Sequence, residues 1–370
     1  MIQHKEHFHG SDLEKIEKYY GIKKEDIVSF SANVNPLGIC PKMKDALTSH
    51  LDVITSYPDR EYTALRNAIA SYCNTEAEYI MVGNGSTELI SLFIKSRHPK
   101  NALILAPTYS EYEREISLSG GTCHYFSLLP EENFELSTAA LKQTLYEKDI
   151  DLLILCNPNN PTSTALHTGQ LREILSDTSA RQTAVIVDET YCEFAPDMEQ
   201  VSAISLVPEY KNLVVLRGVS KFFASPGLRL GYAITSDADL LSYINEHKDP
   251  WTINSLADLA GQVMFTDREY IQAVRSLINN ERTRICKRLR SIPGLTVFEP
   301  YANFVLVRID RPGRNAGELF DAAIREKMML RNCSTFPGLN EQYFRLCFML
   351  PKDNDRLLTL IERFFESCGN

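Results

Sequence analysis

Between residues 78 and 236, short apolar runs alternate with stretches whose apolar positions recur at helical spacing. EYIMVGNG (78–85) leads into STELISLFIKS, NALILAP (101–107) leads into SEYEREISLSG, and GTCHYFSL (121–128) follows. DLLILCNP (151–158) precedes a helical LHTGQLREIL, and AVIVDE (184–189), NLVVLRG (212–218) and RLGYAITS (229–236) complete the series. Several runs are apolar at consecutive rather than alternate positions, as in strands buried on both faces. Strands alternating with helices predict an α/β fold with a mainly parallel seven-stranded sheet and right-handed crossovers.

Beyond residue 236 the pattern changes. Helical periodicity covers roughly 237–292. Strands TVFEP and NFVLVRI follow, then a helix near 315–327, a strand around YFRLCFML and a last helix from about 352. This predicts a smaller α+β domain. The division expected is an N-terminal arm (1–45) packing with the small domain, a large α/β domain (46–247) and a small C-terminal domain (248–370). A chain of 370 residues is long enough for two such cores.

Polar residues gather where the predicted strands end: Gly83–Thr87, Pro107–Tyr109, Asn157–Thr162, Asp188–Tyr191 and Ser220–Lys221. Any one cluster is ordinary turn chemistry. Five at the carboxyl ends of strands mark the edge where open α/β sheets bind ligands.

The net charge of -9 argues against nonspecific binding to nucleic acid or to an anionic membrane. Nine scattered cysteines without a C-x-x-C pair suggest reduced thiols, and no H-E-x-x-H pairing supports a metal. The start, MIQHKEHFHGSDLEK, lacks the apolar core of a signal peptide, and no run approaches the length of a membrane span. A cytoplasmic protein is expected.

VSKFFASPGLRLGY (219–232) places a lysine eight residues before an arginine. This resembles the cofactor-lysine motif of the fold-type-I pyridoxal-phosphate (PLP) enzymes, the class I/II aminotransferase superfamily with the aspartate-aminotransferase fold. The resemblance implies that Lys221 forms the Schiff base, a task suited to an amine that loses its proton when desolvated. It further implies that Ser220 and Arg229 bind the cofactor, Arg229 offering a planar fork to the phosphate. A surface lysine and arginine would be the alternative.

Around this motif the family order continues. Asp188 in VDETY would pair with the pyridinium nitrogen and keep the ring an electron sink, and Tyr191 would donate to the phenolic oxygen. A helix N-cap is the other reading of D-E. CNPNNPTS (156–163) is similar to the family loop N-P-x-N-P-T-G, with Asn160 on the same oxygen and Ser163 in place of the glycine. If that position needs a positive φ, serine is strained there. GNGSTE (83–88) would form an anion site at a helix N-terminus from Gly85, Ser86 and Thr87, or a capping box. Tyr109 would stack on the ring or pack as a core aromatic. Tyr57, in SYPDREY, is similar to a tyrosine that reaches the neighbour's cofactor phosphate across a homodimer with shared active sites. A plain Y-P-D turn is the alternative.

A narrower resemblance, carried by HGS (9–11), FSANVNPLG (30–38), DPWTINSLADLAG (249–261), YANFVLVR (301–308) and LRNCSTFPGLNEQYFRL (330–346), is to the threonine-phosphate decarboxylases of cobamide biosynthesis. Histidinol-phosphate aminotransferases come next, and Tyr191 looks more like theirs. Either reaction implies a small substrate carrying carboxylate or phosphate, a phosphorylated amino acid for the decarboxylase, gripped by Arg331 and Arg345, with His9, Gly10 and Asn33 closing over it. Surface ion pairs and a frayed tail are the alternatives. Phe222, Phe223 and Trp251 read as packing, Trp251 near the pocket wall. A silent binding module of the same fold would lack the lysine at 221.

Overall fold

A two-residue strand, β1 (Val28–Ser29), precedes the seven apolar runs. The runs become β2 (Ile80–Gly83), β3 (Asn101–Ala106), β4 (Thr122–Ser127), β5 (Leu152–Cys156), β6 (Ala184–Asp188), β7 (Leu213–Gly218) and β8 (Gly231–Ile234). In the computed structural model, which describes residue 10 and residues 12–366, these seven form one sheet in the order β2-β8-β7-β6-β5-β3-β4. The pairings among β3 to β7 are parallel; β8 is antiparallel to both neighbours.

The consecutive apolar residues follow from burial on both faces. Leu153, Leu155, Val185, Val187 and Val215 pack into one hydrophobic layer. Their alternates Leu152, Ile154, Ile186, Val214 and Leu216 pack into another, with Leu89, Ile90, Phe93 and Ile94 of helix Gly85–Arg97. Successive strand side chains point to opposite faces, so a sheet covered on both sides needs apolar residues at every position.

A second sheet holds β9 (Leu295–Val297), β10 (Phe304–Ile309), β12 (Arg331–Asn332) and β13 (Tyr343–Cys347) in the antiparallel order β12-β13-β10-β9. Between β10 and β12, β11 (Met328–Met329) pairs in parallel with β1, and Cys347 N donates to Phe30 O. The segment after β1 thereby runs along the second sheet. It then reaches the first, where Asn35 N donates to Lys221 O.

The helical stretch expected over 237–292 is three helices, Ala238–His247, Ser255–Met264 and Arg268–Arg290. The breaks have local causes. Pro250 follows the first helix and Trp251 has a φ of 54°. Asn254 and Asp267 cap the next two by accepting from Ala257 N and Tyr270 N. Side-chain caps at such positions compete with helix continuation. Among the described residues no helix is long and apolar enough to cross a membrane, no acidic, histidine or cysteine cluster suits a metal, and eight cysteines are free thiols.

Candidate active site

The carboxyl edge of the large sheet and the inner face of the small one enclose a cavity of about 500 Å³. Its walls include Gly10, Asn33, Gly85, Ser86, Thr87, Tyr109, Asn160, Asp188, Tyr191, Ser220, Lys221, Arg229, Arg331 and Arg345. Residues from 10 to 345 therefore converge on one space.

Asp188 ends β6 and is buried. Its Oδ1 accepts from the Thr190 N–H (2.9 Å) and hydroxyl (2.6 Å), and its Oδ2 accepts from the Tyr112 hydroxyl (2.7 Å). Three donors to one carboxylate fix its direction. The D-E pair is not a helix cap.

Lys221 lies at the base of the cavity, where its amine donates to Ala32 O (2.7 Å). Burial, reinforced by the charge of Arg345, pulls the amine down from 10.5 to about 8. The adjacent carbonyl, Ser31 O, accepts from Arg345 Nη2 (2.8 Å). Two cations thus hang from neighbouring peptides of the 31–35 segment. Among the described residues, no acidic side chain stands among the hydrogen-bond partners of Arg345: Nη1 donates to Asn160 Oδ1, and the buried Nε has no partner. Arg331 is the cross-strand neighbour of Arg345 in the β12–β13 pair, and it donates to Thr335 Oγ1 (3.0 Å). Burial and then Arg345 bring the Arg331 guanidinium down to about 10. Like charges placed opposite one another destabilise a sheet, a cost that a bound anion removes.

At the far end, helix Gly85–Arg97 begins on the cavity with no side-chain cap. Glu88 accepts from Asn84 N (2.6 Å), while the hydroxyls of Ser86 and Thr87 do not cap. The first-turn N–H groups are available to an anion. Because β8 runs antiparallel, its beginning lies at this edge, with Gly231 opposite Gly83 and Gly218. Arg229 is thereby delivered beside Gly85. A side chain at Gly85, whose φ is 81°, would place Cβ 2.4 Å from Arg229 Nη2. Only glycine lets the guanidinium approach this backbone.

Asn33, with a φ of 56°, donates through Nδ2 to the Tyr191 hydroxyl (3.3 Å). Burial pushes the Tyr191 phenol up, opposed by Arg345 and by Asn33. Ser163 does adopt a positive φ, 63°. Its hydroxyl accepts from Ala302 N (2.9 Å), a bond glycine cannot make.

Tyr57 lies elsewhere. It is 80% exposed and lies tilted against Trp251 (ring centroids 4.7 Å apart) in a separate cleft, so Trp251 is not on this cavity wall. His9 falls outside the described residues. Phe222 and Phe223 are buried packing. Sequence reasoning missed Tyr112 and Thr190, which hold Asp188, although P-T-Y-S-E-Y carries Tyr112 three residues after Tyr109 and D-E-T places Thr190 beside Asp188. It also missed the Ser31 and Ala32 carbonyls and the Thr335–Phe336 wall, for which local sequence carries no signal.

An α/β sheet with a desolvated lysine, a carboxylate and an uncapped helix around one cavity defines a class. The model of the family described as aminotransferase class I and II matches residues 25–361, and the chain belongs to that PLP-dependent family. Among its relatives, the threonine-phosphate decarboxylase of Salmonella typhimurium is 33% identical over 353 residues, covering 95% of each chain. The histidinol-phosphate aminotransferase of Methanothermobacter thermautotrophicus is 29% identical, covering 95% of this chain and 92% of that one. Among solved structures, the histidinol-phosphate aminotransferase of Clostridium acetobutylicum superposes with a TM-score of 0.85 at 29% identity, covering 91% of this chain and 99% of that one. The residues present fit pyridoxal phosphate: a low-pKa amine, a fixed carboxylate, and an uncapped helix start where Gly85 admits the Arg229 guanidinium.

Proposed function

We propose that this chain decarboxylates a small phosphorylated amino acid, L-threonine O-3-phosphate, giving aminopropanol phosphate for cobamide assembly in the cytoplasm. The observation that carries the reading is Arg345, a buried cation whose hydrogen-bond partners are neutral oxygens beside the Lys221 amine. Because Arg345 also lines the cavity with its Nε unpartnered, an anion bound there would offset its desolvation. Arg331 on the next strand gives the substrate's second anionic group a partner, and Gly10 and Asn33 line the side where it would close. The 33% identity with the Salmonella typhimurium decarboxylase supports the choice of substrate.

Lys221 would hold the cofactor carbonyl, Asp188 the ring nitrogen, and Gly85, Ser86, Thr87, Ser220 and Arg229 the phosphate, with Tyr109 against the ring. With Asn160 Oδ1 taken by Arg345, its Nδ2 is the donor left for the phenolic oxygen. The Tyr191 hydroxyl accepts from Asn33 and keeps its own proton to donate there. Pyridoxal phosphate, when bound, supplies a ring that takes up the electrons of whichever Cα bond stands perpendicular to it. By fixing the anions, Arg331 and Arg345 select the bond to the carboxylate, a preference expressed in one transition state over another. The Lys221 amine, with its lowered proton affinity, is placed to return a proton to Cα. In a homodimer, the exposed Tyr57 would complete the neighbour's phosphate site.

A second reading, histidinol-phosphate aminotransferase, is favoured by the Tyr191 hydroxyl, which resembles those enzymes. One comparison separates them. Carbon dioxide release from phosphothreonine without a keto acid supports the decarboxylase; strict dependence on 2-oxoglutarate with histidinol phosphate as donor establishes the aminotransferase.

A further inference from the structure

Ser163 stands where the family loop carries glycine, and holding cofactor or substrate gives its hydroxyl no task. Its surroundings do. The Ser163 carbonyl accepts from Tyr301 N (2.8 Å) and its hydroxyl from Ala302 N (2.9 Å). On the opposite side of the same residue, Arg282 donates to Ala302 O through Nε (3.3 Å) and Nη2 (3.1 Å). Arg282 is buried, and its other hydrogen-bond partners, Asn279 Oδ1, Phe194 O and Tyr301 O, are neutral. The Ala302 backbone is therefore gripped at both its N–H and its carbonyl.

The two residues after Ala302 reach the cavity walls. Asn303 Nδ2 donates to Asn33 O (3.0 Å). The buried Phe304 ring meets Tyr191 edge-on at 4.9 Å and carries the Arg345 guanidinium over its face at 5.0 Å. Arg345 then bonds to Asn160, three residues before Ser163. The path closes on itself through one strand and one loop.

We propose that Ser163 is a positioning residue: its hydroxyl fixes the 301–304 segment so that Phe304 seats Arg345 against Asn160 and beside Lys221. An L-residue at positive φ is strained, and the bond to Ala302 N offsets that strain. Glycine would relax the backbone but leave the Ala302 N–H without its partner. A cation over an aromatic face is attracted to it, so displacing the Phe304 ring would remove one of the contacts that keep Arg345 near Lys221. This role rests on Arg345 being the anion holder of the proposed function, yet it can be tested without any substrate.

The PLP-loaded protein is titrated with pH, reading the absorbance of the lysine-bound cofactor, for wild type, Ser163→Ala, Ser163→Gly and Arg345→Gln. A nearby cation disfavours protonation at the lysine nitrogen. Arg345→Gln is expected to raise the midpoint, and both Ser163 variants to raise it in the same direction, by about threefold in the dissociation constant. Melting temperature is measured beside it. Ser163→Gly relieves the strained φ and should melt above Ser163→Ala, whereas the two titration shifts should agree. A purely structural serine would give shifts that track melting. Wild-type titrations in both Ser163 variants, or in Arg345→Gln, would overturn the proposal. Absent phosphothreonine turnover with the shifts intact would instead defeat the substrate assignment alone.

Discussion

In the cofactor-free protein, the Lys221 amine is expected to titrate at about 8 instead of 10.5. The difference corresponds to roughly a 300-fold gain in free amine at neutral pH, since each unit is tenfold. About a tenth of the amine is then neutral at pH 7, against roughly three parts in ten thousand for an ordinary lysine. The cause is burial, with the Arg345 charge second. Competitive acetylation of the cofactor-free protein between pH 6 and 11, read at Lys221 by mass spectrometry against Nα-acetyl-lysine, measures the midpoint directly. The same shift acts on stability. Below pH 8 the amine is protonated folded and unfolded, and the folded chain bears the full desolvation penalty. Between 8 and 10.5 the folded amine has lost its proton while the unfolded one keeps it, so stability rises with pH. Lys221 is only partly buried, so solvent screens part of this, leaving about 2 kcal/mol. Wild type should therefore gain about that much on Lys221→Met across this window, in urea melts at matched pH. A midpoint of 10 or above, or a gap that does not change between pH 8 and 10.5, would refute the reasoning.

Tyr112→Phe removes a donor to the Asp188 carboxylate while keeping the ring in its packed place. Hydrogen bonds to charged groups contribute about 1.5–3 kcal/mol, so cofactor affinity should fall about 10- to 100-fold; spectral titration of the cofactor-free protein reads this, and unchanged affinity would count against the role given to Tyr112. Behind the site, Arg217 donates to Glu189 through Nε (3.0 Å) and Nη2 (2.7 Å), and Ser202 joins both partners. Both charges are buried, so Arg217→Met strands the carboxylate and should cost about 3–5 kcal/mol in urea unfolding. A loss under about 1 kcal/mol would mean that Glu189 finds a proton or another donor easily.

The chain's own pattern determined the large sheet. Runs such as DLLILC and AVIVD are apolar at nearly every position because both faces of β5 and β6 are covered, a property that consecutive residues display. The same local rules made the carboxyl edge legible, with Gly85, Asn160 and Asp188 in its turns, since strand-to-loop transitions leave Gly, Asn, Asp and Pro at fixed places; Lys221 and Arg229 are singled out by the resemblance of the 219–232 motif. What only the tertiary structure decided are pairings between residues far apart in the chain. Tyr112 and Asp188 stand 76 residues apart, and Asn160 and Arg345 stand 185 apart. Arg331 faces Arg345 because of the register of β12 on β13, and Ser163 meets Ala302 because the segment leading into β10 passes beside the Asn-Pro loop. Periodicity reports which face of an element is buried, but not which distant side chain lies against it. That is settled by strand register and by loop closure, both products of the whole fold.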